Sequence, residues 1–69
     1  MSYTRQALDT LPETCRKHVE ALKIRYNNPT FKHLMNETRQ ISGSYVLALR
    51  DAGIISEGQR RVIFCYITL

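Results

Sequence analysis

The sequence has no tryptophan, and only two cysteines, two prolines and three glycines stand among its 69 residues. Each scarcity excludes something. Cys15 and Cys65 are too few for a disulfide framework, because small stapled proteins depend on about two to four bridges. Both read as reduced thiols. Gly43, Gly53 and Gly58 are each explained by a turn and form no phosphate-cradling loop. No stretch approaches the ~20 apolar residues of a membrane span. The opening Met1-Ser2-Tyr3-Thr4-Arg5 runs into polar sequence without the apolar core of a secretory signal. The expectation is a cytoplasmic protein without membrane contact. Acidic residues are scarce too: six, against ten Lys and Arg, give a formal charge of +4 and a pI near 9.4. That balance is the footprint of a small domain that meets nucleic acid or an acidic partner.

What is present suits one small core. A chain of 8.0 kDa folds to a surface of about 4,400 Å², hiding roughly 60% of its extended surface. This implies a single domain over residues 1–69, with 1–7 as a frayed end. A barrel, a doubly wound sheet or a two-lobed substrate site does not fit in this length. No enzymatic activity, cofactor or small-molecule substrate is expected.

Apolar residues recur at spacings of three and four from Leu8 through Leu11, Cys15, Val19, Leu22 and Tyr26, the signature of a helix. Asp9 or Thr10 can cap it, and Pro12 suits its first turn. Asn27-Asn28-Pro29 breaks it. Thr30 can cap a second helix carrying Phe31, Leu34, Met35, Thr38 and Ile41 and ending near Gln40. Ile41-Ser42-Gly43-Ser44 reads as a tight connection. A third helix spans Tyr45 to Ala52, with Gly53 as its C′ glycine. Ser56-Glu57-Gly58-Gln59 reads as a turn, and Arg60 to Leu69, rich in β-branched and aromatic residues, as a strand.

That order resembles the winged helix-turn-helix fold of small bacterial or phage repressors of the arsenic-resistance and multiple-antibiotic-resistance types. The stretch Thr30 to Leu69 carries the resemblance, above all Leu49-Arg50-Asp51-Ala52-Gly53-Ile54-Ile55, similar to the end of a recognition helix leading into a wing. The resemblance implies an α+β fold, a three-helix winged helix-turn-helix with a C-terminal β-hairpin. It implies a DNA-binding transcriptional regulator whose third helix enters the major groove of double-stranded DNA, with two copies covering a palindrome. Ser42, Ser44, Tyr45 and Arg50 would then face DNA, Arg60 and Arg61 would sit on the wing, and Lys32 and Arg39 would contact phosphate.

The stretch Tyr45-Val46-Leu47-Ala48-Leu49 is apolar for a base-reading helix. The alternative is a protein-binding regulator, such as an antirepressor or an inhibitor from a phage or mobile element. Tyr45 and Leu47 would anchor its interface with a partner or a second copy. Cys15, His18, His33 and Cys65 make a zinc-like set by count. Their spacing fits no known knuckle, so no metal site is expected. A Cys–His nucleophile lacks an orienting third group and an oxyanion site. The six carboxylates are scattered and suit caps and surface pairs.

Overall fold

The computed structural model describes residues 3–69. Its elements are helices α1 (Tyr3–Asp9), α2 (Glu13–Asn27), α3 (Met35–Asp51) and α4 (Glu57–Thr68), with a 3₁₀ segment, Pro29–Leu34, between α2 and α3. There is no strand among the described residues. The expected α+β fold with a β-hairpin wing is therefore replaced by an all-helical bundle.

Local chemistry explains each boundary. Pro12 lacks an N–H and cannot sit inside a helix, so the expected single helix from Leu8 to Tyr26 divides into α1 and α2. Residues 3–7, expected to fray, form most of α1, and Ala7 is buried; Met1 and Ser2 lie outside the described residues. After α2, the Asn28 side chain accepts a hydrogen bond from the Thr30 amide at 3.0 Å. This caps the 3₁₀ segment two residues earlier than a Thr30 cap would.

The main departure is α3. The residues read as a connection, Ile41-Ser42-Gly43-Ser44, lie in the middle of one 17-residue helix. Thr38 donates to the Leu34 carbonyl at 3.0 Å, and Ser42 to the Thr38 carbonyl at 2.7 Å. Both hydroxyls thus enter the core fully buried yet satisfied, by bonding back one turn rather than breaking the helix. A Cβ at Gly43 would stand 3.5 Å from the Phe64 ring, an ordinary van der Waals contact, so neither backbone nor space demands glycine there. The turn expected at Ile41-Ser42-Gly43-Ser44 is therefore absent, and Tyr45 to Asp51 continue the helix that begins at Met35.

The end of α3 follows expectation. Gly53 has φ 78°. Its amide donates to the Arg50 carbonyl and that of Ile54 to the Leu49 carbonyl, both at 3.0 Å, the paired bonds of a Schellman motif. Next, Ser56 caps α4 and Gln59 bonds back to the Ser56 amide at 2.7 Å. This capping box opens a helix where a turn and strand were expected. Ile63 and Ile67, one turn apart on α4, are fully buried, and α4 packs on α1, α2 and α3. Val19 and Leu22 of α2, Val46 and Leu49 of α3, and Ala7, Leu11 and Ile55 complete the core. The β-prone residues of α4 are helical because packing overrides a preference that spans only about 1 kcal/mol. The surface, 4695 Å², is close to that expected from size.

The continuity of α3 has a direct test. Gly43→Ala should raise unfolding free energy by about 0.5–1 kcal/mol, the usual gain for alanine inside a helix. A loss of stability in urea titration would mean that residue 43 lies in a turn.

Candidate functional site

The Schellman turn folds the end of α3 back on the start of α4 and gathers three arginines around one carboxylate. Glu57 accepts from Arg50 Nη1 at 2.6 Å, from Arg60 Nε at 2.7 Å and Nη2 at 2.5 Å, and from Arg61 Nε at 3.1 Å. Arg50 also holds Asp51 through Nη2 at 3.1 Å. Glu57 sits in the first turn of α4 and Arg50 in the last turn of α3, each where the helix dipole favours its charge. The Arg60 pair, then Arg50, then Arg61 hold the Glu57 carboxyl far below the ordinary carboxylate range. Of the eight residues read as DNA contacts, this corner brings together Arg50, Arg60 and Arg61. All three engage an internal anion, and none lies on a wing.

The other five are dispersed. Ser42 is fully buried and Ser44 is exposed on the opposite side of α3. Tyr45 is turned partly inward: its ring lies 4.3 Å from that of His18, centroid to centroid. Burial first, and then a hydrogen bond with Cys15, push its hydroxyl up to about 12. Lys32 lies exposed in the 3₁₀ segment, and the Arg39 guanidinium stands 5.8 Å from the centre of the Phe64 ring. Leu47, the second anchor of the alternative interface, is 40% exposed, as is Ile41 at 46%. Six residues apart, the two lie about 120° from each other around α3. They are single apolar side chains rather than a patch.

Sequence reasoning missed the surface along α4. Two open hollows run along one side of α4 beneath α1. One, of about 400 Å³, is lined by Tyr3, Gln6, Ala7, Thr10, Gly58, Gln59 and Val62. The next, of about 470 Å³, has Thr4, Arg61, Cys65, Tyr66 and Leu69 in its wall. They share Tyr3 and Val62 and lie end to end as a shallow groove along α4. Tyr3 and Leu69 are 80% and 81% exposed. The signal was the spacing Gly58, Val62, Cys65, Leu69, alternately four and three residues, which marks a helix face able to receive another helix. The strand assignment concealed it.

A third hollow, on the other side of α1, is polar. There Tyr66 donates to both oxygens of Glu20 at 2.8 and 2.9 Å, and Lys23 caps the Tyr66 carbonyl at 2.8 Å. Burial first, then Glu20, raise the Tyr66 hydroxyl above its ordinary value. These bonds tie α2 to α4. Cys15 is half-buried and Cys65 exposed, both free. No group of three or more His, Cys, Asp or Glu could hold a metal among the described residues, and none of their helices is long and apolar enough to cross a membrane.

No family model matches the chain, and neither a curated protein nor a solved structure does.

The arginine corner predicts a pH dependence. A carboxylate held below its ordinary value of 4.5 adds stability that is full above that value and is lost as pH falls toward its folded-state value. Wild type should therefore melt above Glu57→Gln at neutral pH, and the gap should narrow at about pH 3. Equal gaps at both pH values in thermal melts would mean that the arginines do not stabilise the ionised form.

Proposed function

We propose that the chain is a small protein-binding regulator that acts by docking rather than by catalysis, and that its docking surface is the groove along α4. The observation that carries this reading is the groove itself, concave, lined mainly by apolar and neutral side chains, and flanked by the exposed Tyr3 and Leu69. Helix α4 spans about 18 Å, a length that suits an amphipathic helix laid into a groove. The interface of the alternative reading moves from α3 to α4, because Tyr45 is engaged by His18 and Cys15 and Leu47 stands alone.

The occupant is a helix of another protein with acidic residues along one edge. The groove wall carries one cation, Arg61, which stays 75% exposed while its Nε bonds Glu57, and no acidic side chain. A second copy fits poorly: its groove wall offers no acidic side chain to meet Arg61 across a two-fold axis. Base readout in duplex DNA has less support. The expected wing is a helix, Ser42 is buried, and Arg50 and Arg60 are held by Glu57.

The test uses two synthetic amphipathic helices with leucines at i, i+3 and i+7, one edged with glutamate and one with lysine. The glutamate peptide should shift the amide resonances of Tyr3, Val62, Cys65 and Leu69. It should bind at least about tenfold more tightly than the lysine peptide, since like charges across an interface are disfavoured. Val62→Glu should abolish the shifts. Shifts centred on Ile41 and Leu47, no shifts at all, or a dimer in light scattering that Val62→Glu dissociates would each overturn the reading.

A further inference from the structure

We infer that the end of the molecule formed by the 3₁₀ segment and its flanks binds the backbone of single-stranded nucleic acid. Charge is distributed unevenly along the chain. Between Glu20 and Glu37 stand Lys23, Arg25 and Lys32 with no Asp or Glu, a formal +3 of the chain's +4. Lys23 is committed to the Tyr66 carbonyl. Arg25 and Lys32 pair with no carboxylate among the described residues, in contrast to the three arginines held by Glu57. The Arg25 Nε–H is buried without an acceptor, an unmet donor in a structure where buried polar groups are otherwise bonded.

The groups beside these cations favour a nucleic-acid strand over an acidic protein. Phe31 is 38% exposed, with the Arg25 guanidinium 5.7 Å from its ring centre. An aromatic face beside cations is the usual platform on which unpaired bases stack. Next to it is a hollow of about 200 Å³ walled by Tyr26, Asn27, Asn28, Lys32 and Met35. It is open to solvent and smaller than the ~300–1,000 Å³ of a drug-sized pocket. The Asn28 side-chain oxygen is engaged by the Thr30 amide, which leaves its NH₂ as a spare donor. Lys32, read from sequence as a phosphate contact, keeps that role here, and Arg39 follows Met35 by one turn of α3.

The experiment is a titration of a fluorescent oligothymidylate at about 50 and 200 mM salt, the range over which phosphate contacts declare themselves. Lys32→Gln should reduce the slope of log affinity against log salt by about 0.7, the value for one lost contact on a single strand. Phe31→Ala should weaken binding about tenfold while leaving the slope in place, because stacking is not ionic. Lys17→Gln, an exposed cation already paired with Glu13, serves as the control and should change neither. Three results overturn the inference: no binding at the lower salt, an equal fall in slope for Lys17→Gln, or competition by polyglutamate as effective as by unlabelled oligothymidylate. The first means no site, the second diffuse charge, the third an acidic protein ligand. Circular dichroism of each variant checks that the bundle is intact. The α4 groove is a separate surface, so its peptide titration stands or falls independently.

Discussion

The fold depends on α4 being a helix. Ile63 and Ile67 project from one face of it into the space between α1, α2 and α3, and both are fully buried. As a strand, the same segment would send alternate side chains to opposite faces and leave half of them without a core to enter. The Ser56–Gln59 capping box fixes where the helix starts, and the Schellman turn at Gly53 fixes the direction from which it arrives. The Tyr66–Glu20 and Lys23–Tyr66 bonds hold α4 to α2, and a Gln59–Thr10 bond of 2.9 Å ties its start to the link between α1 and α2. The groove proposed for docking exists because this one helix touches every other.

Parts of this arrangement are legible in the sequence. The apolar spacing of Leu11, Cys15, Val19 and Leu22 marks the buried side of α2, and Gly53 marks the end of α3, because only glycine adopts its left-handed backbone without strain. Ser42-Gly43-Ser44 misleads, because the residues that favour turns can also bond back to a helix carbonyl when buried, and the choice is made by tertiary packing. Arg60 to Leu69 misleads for the same reason. Its β-branched residues express a weak preference, while the buried spacing Ile55, Ile63, Ile67 and the Ser56-x-x-Gln59 signature are helical. Read together, those two features favour the helix over the turn and strand.

The candidate contacts divide by a similar logic. Residue type marks Arg50, Arg60 and Arg61 as binders of anions, and each does bind one, Glu57 of the same chain. Sequence separation hides the pairing with Arg50, which depends on the reversal at Gly53. The result is an asymmetric molecule. Its α3–α4 corner is largely neutralised, three arginines against Asp51 and Glu57, and the 3₁₀ end keeps its charge. Association steered by electrostatics would be guided by the second end rather than the first.

The packing of α4 also conceals a hazard. Val62-Ile63-Phe64-Cys65-Tyr66-Ile67-Thr68 is seven residues long, β-prone and uncharged, without proline or glycine, the composition from which cross-β stacks assemble. In the bundle these residues are held in helical geometry, with their backbone bonded along the helix. Were α4 to detach, a strand-competent segment would face solvent with every N–H and C=O free to pair with another chain. Arg60 and Arg61 immediately precede it, where charged gatekeepers commonly flank such stretches. The same residues that close the core thus make the chain's solubility depend on how rarely its last helix opens.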